Sequence, residues 1–170
     1  MVKYLISACL VGEQVRYDGR DCLEAKLHAL IQNGQAICVC PEMAGGLATP
    51  RLPAEIMGGD GADVLAGRAK VIDTASIDVT EAFINGAHIA LKLAQRHHVS
   101  HVILKANSPS CGSQLIYDGS FSGQKIVGNG VTAALLKQHG FHVWTEQVFL
   151  DQLKLLEFFQ KSKNDHRTKI

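Results

Sequence analysis

The chain has no apolar run approaching the ~20 residues that span a bilayer. Its opening, Met1-Val2-Lys3-Tyr4-Leu5, lacks the charged stretch followed by a long apolar one that marks a secretory signal. Charge of one sign is also missing. Lys and Arg total 17 against 16 Asp and Glu, a formal net charge of +1. That balance removes any global electrostatic reason to expect a nucleic-acid polymer or a membrane surface as partner. The expectation is a cytoplasmic protein acting on something small. There is no Cys-x-x-Cys pair, no His pair at i, i+4 within one predicted helix, and no P-loop or G-x-G-x-x-G pattern. Internal repeats and a second compositional regime are absent as well. Residues 1–160 therefore read as one domain, followed by a polar tail over 161–170 that is expected to fray.

What is present suits a compact α/β domain: 46% hydrophobic residues in a chain of 170 can build a substantial core. Lys3 to Ser7 reads as a strand, about Leu23 to Ile31 as a helix stopped at Asn33-Gly34, and Ala36 to Val39 as a second strand. Strand, helix and strand with short joints form the crossover unit of a parallel sheet. Pro41 to Pro53 carries Gly45-Gly46 and three of the four prolines, and reads as loop. Ala62 to Leu65 and Ala69 to Ile72 predict a small hairpin or two short extended pieces. Val79 to Gln95 is the clearest helix, with Asp78 as its cap and Glu81 completing a capping box. His101 to Leu104 is the next strand, before a long polar loop over Lys105 to Gly128. A helix over Val131 to Gln138, a strand over Phe141 to Trp144 and an amphipathic helix over Val148 to Gln160 complete the order. The alternation predicts a doubly wound, mainly parallel sheet in a Rossmann-like three-layer sandwich.

Five cysteines, an odd number in a domain large enough to need no staples, argue against a disulfide framework. Any single cysteine is most simply a small buried residue. Three of them share something more. Cys9, Cys40 and Cys111 each follow the carboxyl end of a predicted strand, in loops bearing Gly or Pro. In open parallel sheets ligands bind along that edge. Widely separated thiolates favour zinc, copper(I) or an iron–sulfur cluster, and a cubane takes ligands from several directions. Three ligands leave one position open for a substrate atom. Cys38 and Cys22 read more simply as a buried strand residue and a structural or exposed one. Either is a possible fourth ligand.

Polar residues gather around these positions. Glu42, two residues after Cys40, is suited to passing protons, or to capping backbone N–H groups. Ser108 and Ser110 flank Pro109 and are candidates to orient a substrate or bond cluster sulfides, or are simply turn residues. Lys105 and Arg51 are candidates to neutralise a phosphate or an anionic cluster.

Ser7-Ala8-Cys9-Leu10-Val11-Gly12 with Arg16-Tyr17-Asp18-Gly19, the stretch Cys40-Pro41-Glu42 through Thr49-Pro50-Arg51, and Ser108-Pro109-Ser110-Cys111-Gly112 with Ile116-Tyr117-Asp118-Gly119 occur in order. On these motifs the chain resembles the thiouracil desulfidases, a family of small bacterial proteins, from about Leu5 to Trp144. The resemblance implies a 4Fe–4S cluster on Cys9, Cys40 and Cys111, and non-redox removal of sulfur from a thiolated pyrimidine such as thiouracil, thiouridine or its monophosphate. It implies proton transfer by Glu42, and substrate orientation by Ser108. Ala48 and Asn107 depart from its pattern, which leads to Pro and Arg there. Two other readings stand beside it. One is a cluster-free enzyme with Cys111 as nucleophile, and the other a metal- or nucleotide-binding module without turnover.

Overall fold

The computed structural model describes the backbone of residues 1–167 and the side chains of residues 1–158. Four parallel strands make the central sheet: β1 (Tyr4–Ser7), β2 (Ala36–Val39), β5 (His101–Leu104) and β8 (His142–Thr145), in the order β2-β1-β5-β8. Their starts are in register, with Tyr4 opposite both Ala36 and His101, and His101 opposite His142. Successive residues therefore serve opposite faces. Leu5 and Val102 pack one way, against α4 (Thr80–Arg96) and α5 (Val131–Gln138). Ile6 and Ile103 pack the other way, against α1 (Ala25–Gln32) and α6 (Glu146–Arg167). The result is the three-layer sandwich the sequence predicts.

Strand order explains the layering. The chain goes from β1 to β2 through α1 on one face, then from β2 back across β1 to β5 with α4 on the other. Parallel crossovers keep one hand, so a helix changes face when the order reverses. The reversal falls between β1 and β5, and the crevice at their carboxyl ends is the topological switch point of the sheet.

Several elements differ from the sequence reading. Ala62 to Leu65 is not extended: it belongs to α3 (Gly61–Leu65), nucleated by a capping box in which Asp60 accepts from the Asp63 N–H at 3.4 Å and Asp63 accepts from the Asp60 N–H at 3.0 Å, with the Ala62 N–H also donating to Asp60 at 2.9 Å. The hairpin partner of β4 (Lys70–Asp73) is instead β3 (Ala54–Met57), antiparallel to it, so Ala54 to Met57 lies outside the loop expected up to Pro53. Within that loop a single helical turn, α2 (Pro41–Ala44), begins with its proline at the first position, where no N–H is needed. The helix entered near Asp78 does receive a bond there, Thr80 N–H to Asp78 Oδ1 at 3.0 Å, but no side chain caps Val79 and no box with Glu81 forms. The polar loop after β5 contains a second small hairpin, β6 (Leu115–Tyr117) with β7 (Lys125–Val127). The last helix continues past Gln160, so residues 161–167 of the expected tail are helical, and 168–170 lie outside the described residues. No helix among the described residues is long and apolar enough to cross a membrane.

Candidate functional site

A cavity of about 550 Å³ opens at the switch point. Each of the three cysteines reaches it from a different strand end, through a loop fixed in its own way. After β1 the chain enters a tight 3-10 turn (Ala8–Val11) that ends at Gly12, whose φ of +98° is the left-handed conformation glycine adopts freely. Cys9 sits in this turn and is buried, and its carbonyl accepts the Cys22 N–H at 2.8 Å. Cys40 is the extended residue between β2 and α2, and its carbonyl accepts the Ala44 N–H at 2.9 Å. Cys111 lies in the loop that caps α5. Pro109 and Ser110 carbonyls accept the Val131 and Thr132 N–H groups, both at 2.9 Å, in place of a capping side chain. Gly130 permits this close seating, because a Cβ there would come within 2.5 Å of the Ser110 backbone.

Ser108 Oγ accepts the N–H groups of Ser110 and Cys111, each at 3.1 Å, and so shapes the turn that presents Cys111 to the cavity it also lines. Ser110 has a different place. It is fully buried, bonded through Oγ to Thr132 Oγ1 at 2.9 Å, and outside the cavity lining. Its hydroxyl ties the Cys111 loop to α5 and is not brought to where a substrate would lie.

The charged residues read from sequence are at the cavity, but two of the cations are already engaged. Arg51 Nε donates to Glu42 Oε2 at 2.6 Å, and the same guanidinium bonds the Ala48 carbonyl, the Thr49 hydroxyl and the Val15 carbonyl. Both side chains are largely buried, 10% and 15% exposed. Lys105 is ion-paired with Glu146, whose second oxygen accepts the Ala106 N–H at 2.8 Å. Arg16 also lines the cavity, lies over the Tyr17 ring at 5.7 Å, and makes no ion pair with a carboxylate among the described residues. Arg16 stands in the Arg16-Tyr17-Asp18-Gly19 motif but had no role there, and Glu55 on β3, a buried carboxylate in the cavity wall, stands in none of the motifs. No spacing or composition marks Glu55.

Burial sets the electrostatics. It pushes the Cys9 thiol up to about 12, with the neighbouring Cys22 and Cys40 adding to it and Lys105 and Arg16 opposing. Burial raises Cys40 as well, against the backbone N–H of Met43. Cys111 is raised most, by burial, with a Ser7 hydrogen bond acting the other way and the charges of Cys9, Cys40 and Glu42 adding to it. Free thiols so placed stay protonated at neutral pH, which disfavours any of them acting alone as a thiolate nucleophile. Among the described residues no three His, Cys, Asp or Glu side chains close around a single ion. A mononuclear thiolate site with bonds of about 2.3 Å would need such closure. Cys9, Cys40 and Cys111 instead share the lining of one cavity, and a donor set of three thiols suits a polynuclear cluster.

Cys38 and Cys22 are not part of this ring. Cys38 bonds Glu13 at 3.2 Å and packs with the α1 and α6 side of the core, and neither lines the cavity.

Fold and site together define a Rossmann-like α/β protein with a thiol-ringed cavity at its switch point. The chain belongs to the 2-thiouracil desulfurase family, whose model matches residues 4–148. It is 50% identical over 149 residues to YbbK, an uncharacterized protein of Bacillus subtilis (strain 168), covering 88% of this chain and 99% of that one. It is also similar to the solved structure of TudS, a [4Fe-4S]-dependent thiouracil desulfidase, at 40% identity and a TM-score of 0.78, over 93% of this chain and 99% of that chain.

Proposed function

We propose that this protein is an iron–sulfur-dependent thiouracil desulfidase, converting a thiolated pyrimidine to its oxo form with release of hydrosulfide. The observation that carries this reading is the meeting of Cys9, Cys40 and Cys111, from three strand ends, on one cavity. These three would hold a 4Fe–4S cluster. When bound, a cluster with three protein ligands supplies one iron free to act as a Lewis acid toward a soft sulfur atom.

The reaction balances without electrons: water oxygen replaces sulfur at the ring carbon, and the sulfur leaves as hydrosulfide with one of the water's protons. Glu42 Oε is the base suited to receive the other proton. Its Arg51 partner holds the carboxylate in place, and general base catalysis of this kind is worth ~10²–10⁴-fold. Ser108 keeps the Cys111 turn in shape and offers a hydroxyl at the cavity wall. Lys105, held by Glu146, opposes the negative charge that deprotonated thiols would bring to Cys9. Arg16 is the wall cation available to a substrate phosphate, in place of the paired Arg51 and Lys105.

Anaerobic assay of the cluster-loaded protein with 2-thiouracil and 4-thiouridine monophosphate tests the reading. Uracil or UMP and hydrosulfide should appear in equal amounts with no added reductant. A requirement for reductant, or binding without sulfide release, contradicts it.

A further inference from the structure

The mechanism leaves Glu55 unused, yet it is the buried carboxylate of β3, 8% exposed, with no basic partner among the described residues. An uncompensated buried carboxylate is costly, and what offsets the cost identifies its role. Glu55 Oε2 accepts two backbone N–H groups of the β6–β7 loop, Gly119 at 2.9 Å and Phe121 at 3.1 Å. That loop contributes Phe121 and Gly123 to the cavity wall, beside Tyr117 at the end of β6. The loop's other hydrogen bonds are internal to it, Asp118 N–H to the Gln124 carbonyl at 3.1 Å, Ser120 N–H to Asp118 Oδ1 at 2.9 Å and the Ser120 hydroxyl to Asp118 and Ser122. They shape the loop without tying it to the rest of the fold. Its ladder is three residue pairs long, all of β7 is exposed, and a two-stranded hairpin is marginal on its own. Phe121 is held at a φ of +55°, in the left-handed region that a phenylalanine rarely adopts unaided. Gly119 is seated so tightly on β3 that a Cβ would lie 2.6 Å from the Ile56 carbonyl oxygen.

We propose that Glu55 is a positioning residue: it latches the β6–β7 loop as a flap over the cavity, so that the Phe121 ring forms a wall for the planar base of the substrate. The inference rests on the desulfidase reading for the identity of that base. An aromatic face beside a flat heterocycle binds by stacking, and stacking acts on ground state and transition state alike. Loss of the latch therefore weakens substrate binding more than the chemical step.

The test compares Glu55→Ala, Glu55→Gln and Phe121→Ala in the cluster-loaded protein. Hydrogen–deuterium exchange over residues 117–124 reads the latch without any need for activity. Glu55→Ala is expected to speed it by about tenfold or more, and Glu55→Gln, which keeps an acceptor oxygen, to restore most of the protection. Glu55→Ala and Phe121→Ala should each raise KM for 2-thiouracil by roughly tenfold with kcat within about threefold and iron content unchanged. Unchanged exchange in Glu55→Ala overturns the latch. A fall in kcat with KM unchanged overturns the role in binding. If the wild type releases no sulfide, the desulfidase reading fails, and with it the thiopyrimidine as occupant. Exchange then still decides the latch.

Discussion

Burial means opposite things for a thiol that stays free and for one that is a ligand. Cys9, Cys40 and Cys111 sit where burial keeps free thiols protonated, and metal binding is what makes such thiols useful. Cys38 is also raised, to about 12 as Cys9 is, but its Glu13 partner adds to the effect of burial and it does not line the cavity. Cys38→Ser and Cys22→Ser should therefore retain iron and activity, as iron analysis and sulfide release would report. Glu42→Gln keeps the side chain's shape but removes its base. Its kcat is expected to fall ~10²–10⁴-fold with iron content unchanged. Arg16→Ala should raise KM for 4-thiouridine monophosphate and leave KM for the free base alone; equal effects on both would remove Arg16 from phosphate recognition. The cysteines were legible in the sequence because a strand end followed by a Gly- or Pro-bearing turn is a local pattern. Arg51 and Lys105 were legible as residues near the site but not in their partners. Glu42 is 9 positions from Arg51, and Glu146 is 41 from Lys105. Neither pairing leaves a periodic trace.

Among the elements, α2 carries Cys40 and Glu42 and is only one turn long, so its place depends on what it packs against. It is pressed onto α4 through two glycines. A Cβ on Gly86 would lie 1.9 Å from the Pro41 carbonyl oxygen, and one on Gly45 would lie 1.9 Å from that of Ala82. Gly86→Ala should cost about 1–3 kcal/mol of stability through overpacking. It should lower iron content with it, because α2 must shift. Thermal unfolding and iron analysis on the same sample would check both. The entry to α4 also makes an acid-side prediction. Thr80 bonds and Lys70 hold the Asp78 carboxyl down near about 2, against an ordinary 3.8. A depressed carboxyl adds stability above its unfolded value that is lost as pH falls toward the folded one. Wild-type stability should thus decline more steeply than that of Asp78→Asn between about pH 4 and pH 2. Helix α4 and the sheet strands were readable from apolar periodicity. The short pieces were not: α3 is set by its Asp60–Asp63 box and by β3 claiming β4 as partner, a pairing no local pattern reveals.

At the scale of the molecule, the switch point does the assembling. Two strand ends next to each other, β1 and β5, and the flanking β2 bring three loops to one crevice, although Cys9 and Cys111 are about a hundred positions apart in the chain. The alternation of strands and helices was enough to foresee that crevice, because crossover handedness leaves few topologies. It could not foresee the flap, whose anchor is a hydrogen-bonded carboxylate across 64 residues. Cys9, Cys40 and Cys111 are proposed to act together as one cluster site. Iron and acid-labile sulfide should be counted after anaerobic reconstitution of the wild type and of Cys9→Ser, Cys40→Ser and Cys111→Ser. About four irons and four sulfides per wild-type chain are expected, with each substitution abolishing or sharply reducing both, together with sulfide release from thiouracil. A wild type that takes up no iron, or a variant lacking one of the three that keeps a full complement and full activity, would contradict it.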